Sequence, residues 1–191
     1  MDQLTSTVPG IKPQLNGRLT NTPIVGAQVF ADHSSSPPFL HTHLLENLTL
    51  EETLKAKVGF ERLSATFGVT VHHYRADNGR FGEVGFKQAC AACHQTIDYC
   101  AANSHFQNGI AESNIGHLQE STRTILLNAI HYWPEMVSLE LWPLALLEAT
   151  RIANLTRFDK DGRSPYNHFS SSDALFNIKT EYAIGCPACL R

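Results

Sequence analysis

The sequence has no apolar run long enough to cross a bilayer as a helix, and no basic-then-apolar leader at its start. Those absences exclude a helical membrane span and a secretory leader, and they make an intracellular setting the default expectation. An even cysteine count is also missing: five cysteines fit reduced thiols better than a disulfide framework. The basic excess of a free-standing nucleic-acid binder is absent too. The formal net charge is −3, which argues against strong autonomous affinity for DNA. There is no internal repeat and no low-complexity tract. What remains is a chain of 191 residues, 42% apolar and 17% charged, enough for one domain with a core of its own.

Residues 1–26 are rich in Pro, Gly, Asn and Thr, and only 2–7 carry a weak strand pattern. Residues 25–31 read as a small, apolar strand ending at Asp32. Pro37-Pro38 make a stiff turn, and 39–45 return as a third strand. His41 and His43 fall on one face of that strand; with no third ligand at a suggestive spacing they read as a partly exposed strand face rather than a zinc site. Thr49 and Glu52 form a capping-box signature for a helix to about residue 67, with Leu54, Val58, Leu63 and Phe67 near helical spacing and Gly68 as the stop. A strand over 69–76 follows, and the helical crossover before it predicts that it runs parallel to a neighbour. Next come a short helix over 80–93 with Phe86 and Cys90 inward, a strand over 96–100, and a loop over 101–109. A long helix over 110–131 has Ile115, Leu118, Thr122, Ile125 and Ala129 as its inner stripe. A second helix covers 139–156, with Pro143 tolerated in its first turn. The order β-β-β-α-β-α-β-α-α, three antiparallel strands and then parallel ones, predicts an α/β, ribonuclease H-like fold: a mixed five-stranded sheet flanked by helices.

The chemistry concentrates between residues 69 and 112. The strand over 69–76 stops on an acid, Asp77, and Asn78-Gly79 turn at once. Gln107-Asn108-Gly109-Ile110-Ala111-Glu112 runs from a glycine-containing loop into the long helix. One carboxylate therefore sits at a strand end, held rigidly, and another in a first helical turn, where negative charge is favoured. Phosphoryl-transfer enzymes that use two metals need such hard oxygen ligands. Taken alone, Asp77 reads first as a turn residue and Glu112 as a dipole-stabilising helix start. Asp32 ends a strand as Asp77 does. Two CxxC pairs, 90–93 and 186–189, lie too far apart for a zinc ribbon, since 93 residues separate Cys93 from Cys186. The first pair falls in a predicted helix and reads as buried thiol.

Ala76-Asp77-Asn78-Gly79 followed by His105-Phe106-Gln107-Asn108-Gly109-Ile110-Ala111-Glu112 resembles the catalytic core of copia-type retrotransposon integrases, in the retroviral integrase superfamily. Met1-Asp2-Gln3-Leu4 ahead of Pro9-Gly10 is similar to the family's first-acid motif. Gly162-Arg163-Ser164-Pro165-Tyr166 and Gly185-Cys186-Pro187 resemble segments that follow its core. The resemblance covers nearly the whole chain and implies a catalytic core over 1–157 with a C-terminal extension over 158–191. It implies that Asp2, Asp77 and Glu112 are the catalytic, metal-ligating acids, with Asp32 the alternative first acid, and that Mg²⁺ or Mn²⁺ is the cofactor. It implies DNA contacts from Asn78, His105, Gln107, Asn108 and Arg123. The implied activity is DNA integration: joining element ends to target DNA by two-metal transesterification, with the metals in place of a general base. The implied actor is a homo-oligomer working in the nucleus. Departures stand out: Ser113 where the family has Arg, and Asn114, Gly116 and His117 in the next turn, where basic or good helix-forming residues are usual. They keep open a second reading, an inactive transposon relic or domesticated fragment retaining the fold and weak nucleic-acid binding. A ribonuclease H-type nuclease is a third, for which a fourth acid lacks a clear candidate.

Overall fold

The computed structural model describes residues 1–13, 22–77, 79–100 and 109–173. Three strands, β1 (Asp2–Gly10), β2 (Ile24–Ala31) and β3 (Leu40–Leu45), form an antiparallel sheet in that order. Asp2 stands opposite Val29, and Ala31 opposite Leu40. Period-two alternation sends successive β2 residues to opposite faces. Val29 enters a core layer with Leu4, Leu40 and the later helices, and Phe30 enters the other layer.

Helix α1 (Leu50–Thr66) packs on the Phe30 face. Thr49 caps it by accepting from the Glu52 amide at 3.4 Å, and Gly68, at φ +71°, lets the chain turn off its end. Its inward face differs from the expected stripe. Glu52, Thr53, Ala56, Lys57, Phe60 and Ser64 are buried, Leu54, Leu63 and Phe67 flank them, and Val58 is 42% exposed. The rotation is possible because the Lys57 ammonium is matched by Glu61 at 2.7 Å, so a lysine occupies the interior without an unpaired charge.

Strand β4 (His73–Ala76) and β5 (Thr96–Tyr99) pair in parallel, as the crossover requires. The expected strand from residue 69 is shorter because its ladder starts only where β5 does, at His73 opposite Thr96. Between them lie a 3₁₀ turn (Arg80–Gly82) and α2 (Val84–Ala92), which buries Phe86 and Cys90. A single five-stranded sheet is not what forms: the strands divide three and two. The two sheets meet where the Met1 amino nitrogen donates to the Arg75 carbonyl at 2.7 Å, a point contact rather than a ladder.

Helices α3 (Gly109–Tyr132) and α4 (Trp142–Thr156) cover the other face. Ile115, Leu118, Thr122 and Ala129 point inward on α3 as their spacing predicts; Leu126 is buried and Ile125 only partly so. Asn154 of α4 brackets Leu40, accepting from its amide at 2.8 Å and donating to its carbonyl at 2.7 Å, which satisfies backbone groups on edge strand β3. A last helix, α5 (Pro165–Ser170), is started by a capping box between Ser164 and Asn167. It seats Phe169 against Phe39, ring centroids 4.0 Å apart. Among the described residues no helix is long and apolar enough to cross a membrane.

Candidate active site

Three elements carry the candidate acids. Asp2 is the first residue of β1, Asp77 directly follows β4, and Glu112 lies in the first turn of α3. Asp2 is anchored by strand pairing with Val29, and its Oδ1 accepts from the Gln3 amide at 2.7 Å. Asp77 is exposed in the turn, its carboxylate lying over the Gly79 backbone. Half-burial pushes the Asp2 carboxyl above its ordinary range; the Gln3 amide opposes this, and the Asp77 and Glu112 charges add to the rise. The carboxylates are therefore near enough to repel one another. The Met1 ammonium beside them is driven down to about 6 by burial, with Asp2, Cys100 and Asp77 acting in the opposite sense.

Other candidate residues are placed differently. Asp32 is engaged by its own turn, accepting from the Ser34 amide at 3.1 Å and from the Ser34 hydroxyl. The carboxylates that act on Asp2 are Asp77 and Glu112. Arg123 is exposed on α3, 11 residues beyond Glu112, about 16 Å along the axis. It lines a groove with Leu4 and Trp142 instead of the acids. Asn78, His105, Gln107 and Asn108 lie outside the described residues, as do Cys186 and Cys189. Cys90 is buried as the buried-thiol reading expects, but Cys93, which follows the last residue of α2, is exposed. His41 packs its ring 5.5 Å from that of Phe60, and burial, then His43, pulls it down to about 4, which is the behaviour of a core residue.

The donor set fits a hard divalent cation in kind: carboxylate oxygens whose mutual repulsion a 2+ charge would relieve. Among the described residues, however, no three His, Cys, Asp or Glu side chains are drawn close enough together to hold a metal ion. The acids share a field without forming a coordination shell.

One feature of the surroundings was not visible in the sequence. A groove of about 670 Å³ runs between the turn at 33–38 and the start of α3, with Arg157 on its wall. Arg157 donates to Asn114 Oδ1 at 2.6 Å. In the sequence Asn114 reads only as a poor helix former, and Arg157, just past the C-terminal end of α4, carries no motif signal.

No protein-family model matches this sequence, and no curated protein does. Solved structures do. A simian T-cell lymphotropic virus intasome, in complex with the PP2A regulatory subunit B56 gamma, aligns over 94% of this chain with a TM-score of 0.62 at 15% identity. This chain spans 58% of that one. The HTLV-2 integrase catalytic core domain in complex with magnesium aligns over 87% of this chain and 93% of its own, TM-score 0.56, at 15% identity. The BIV integrase catalytic core domain aligns over 76% and 91%, TM-score 0.52, again at 15%. The chain has the fold of retroviral integrase catalytic cores.

Proposed function

We propose that this chain is the catalytic core of a copia-type retrotransposon integrase, joining element DNA ends to target DNA by phosphodiester transesterification. The observation that supports the reading is that the charges of Asp77 and Glu112, on two other elements, act on the Asp2 carboxyl within a fold shared with integrase cores. The copia assignment rests on the wording of the motifs around Asp77 and Glu112 and on the Ser164-Pro165-Tyr166 segment.

Asp2, Asp77 and Glu112 would hold Mg²⁺ or Mn²⁺, which when bound supplies activation of the attacking oxygen and charge stabilisation at the leaving oxygen. The chain's own part is positional. β1 fixes Asp2 through its ladder, and β4 delivers Asp77 at its exposed end, where a rotamer change moves the carboxylate at little cost. Helix α3 presents Glu112 where its dipole favours the charge. Asn78, His105, Gln107 and Asn108 would contact DNA from the segments between these elements. The same reading makes the active species a homo-oligomer acting in the nucleus.

Calorimetric titration of Mg²⁺ or Mn²⁺ into this chain and into Asp77→Asn tests the reading. Binding to the first and not the second is expected, followed by strand transfer on a DNA substrate. No heat of binding with either chain would overturn the active-integrase reading and leave a folded relic.

A further inference from the structure

We propose that the groove between the 33–38 turn and the start of α3 is a subsite for the phosphate backbone of a nucleic-acid strand, with Arg157 as its anion-contacting cation. The inference rests on the phosphodiester reading above and assigns a binding residue to it. Arg157 is not held by a carboxylate as Arg151 and Arg163 are. Arg151, on the same helix, is clasped by Glu148 through two bonds of 2.8 and 2.7 Å, and Arg163 has Asp173. Among the described residues Arg157 has no carboxylate partner; what fixes it is a neutral amide, Asn114 Oδ1.

That amide is itself pinned. Asn114 is 4% exposed and spends its Nδ2 donor on the Ile110 carbonyl at 2.7 Å, which turns Oδ1 toward Arg157. A neutral acceptor orients the guanidinium without cancelling its charge, and four of its five N–H donors remain for a ligand. The positive charge faces a groove whose far wall is the serine- and proline-rich turn and whose near wall is Gly109, Ile110 and Ser113. The N-terminal end of a 24-residue helix adds potential of the same sign. The volume, about 670 Å³, sits within the roughly 300–1,000 Å³ range of pockets that enclose sizeable ligands, so it suits a length of chain better than a lone phosphate. Ser113, on the groove wall, follows Glu112 directly, so the groove lies against the same opening turns of α3 that carry the candidate acid.

Fluorescence anisotropy with a short labelled DNA duplex, titrated across salt in Mg²⁺, tests the assignment. Arg157→Gln is expected to weaken binding about 5- to 10-fold at low salt and to reduce the salt slope by about one, while Arg157→Lys keeps the slope. Thermal melts of both variants separate this from unfolding. Hydrogen exchange on the wild type needs no variant: DNA should protect amides at 33–36 and 109–114. Wild-type affinity and slope in Arg157→Gln, or bound DNA without protection there, overturns the subsite and leaves the integrase reading standing. A wild type that does not bind DNA at all overturns both.

Discussion

Replacing Glu61 by Gln should cost this protein about 3 kcal/mol, and the reasoning runs through one oxygen atom. Glu61 Oε1 accepts from Lys57 Nζ at 2.7 Å, from the Tyr74 hydroxyl at 2.8 Å and from Gln95 Nε2 at 2.6 Å. Gln95 also donates to the Val71 carbonyl at 2.9 Å, so the cluster ties α1 to β4, the strand that leads to Asp77. The Lys57 side chain is 2% exposed and the Glu61 side chain 22%. Charges about 4 Å apart gain about 4 kcal/mol at an effective dielectric near 20. Removing one partner of a buried pair costs about 3–5 kcal/mol, because the other charge is stranded. Water reaches Glu61, which favours the lower end. For a chain this size about 3 kcal/mol lowers the melting temperature by roughly 6–12 °C. The assay is thermal unfolding followed by circular dichroism at pH 7. Lys57→Met combined with Glu61→Gln should recover most of the loss, since no ammonium is then stranded. Burial pushes the Glu61 carboxyl up, but the bonds from Lys57, Gln95 and Tyr74 outweigh it and hold the group below its ordinary 4.5. Its contribution is therefore present at neutral pH and lost as pH falls through the folded value, so Glu61→Gln should show a flatter acid limb. A single variant within about 0.5 kcal/mol of wild type, the scatter of ordinary surface changes, or a double variant no better than the single, would refute the argument.

Asp2→Asn should stabilise the metal-free fold at pH 7 in chelator while abolishing divalent-cation binding. The raised carboxyl of Asp2 favours the fold below its unfolded value of 3.8 and loses that contribution as pH rises through the folded one, so the gain should vanish in acid; a variant less stable than wild type at pH 7 counts against it. His41, pulled down to about 4 by burial from 6.5, should cost the wild type about 3 kcal/mol as pH falls from 6.5 to 4. Urea midpoints across that range should drop less for His41→Phe, and equal drops would assign the acid loss elsewhere. Gly116→Ala should raise stability by about 0.5–1 kcal/mol, because a Cβ there meets nothing within 4 Å and glycine is a poor helix former; an unchanged urea midpoint would place the cost of Gly116 elsewhere.

The long helices were legible because burial and periodicity agree in them: Ile115, Leu118, Thr122 and Ala129 point inward on α3 as their spacing says. On α1 the same logic chose Val58 and passed over Lys57, because a hydrophobicity pattern scores residues singly and the burial of Lys57 is licensed by a partner four positions on. Residues 69–72 have a strand's composition, but a ladder needs a neighbour, and β5 begins opposite His73. The capped turn of α5 is not legible in the sequence, where Ser164-Pro165-Tyr166 stands only as a family-like segment; its capping box and the packing of Phe169 on Phe39 emerge in the fold.

The site divides along the same line. Asp77 and Glu112 announce themselves, one at a strand end and one at a helix start, because local structure puts them there. Asp2 is marked only by the wording of its motif, with Asp32 as its alternative and no strand end or helix start to announce it. Its link to Asp77 exists only because the start of β1 is carried beside β4, where the Met1 nitrogen meets Arg75. Arg157 is more remote still, 44 residues beyond Ser113 and reached through a side chain–side chain bond from Asn114. Residues two apart on a helix do not share a face. The opening turns of α3 can thus offer Glu112 to the acids on one side and Asn114 to Arg157 on the other. Divalent-cation chemistry and the grip on a phosphate backbone would then be set by positions two apart on one helix, with the residues that complete each, Asp2 and Arg157, supplied from distant parts of the chain.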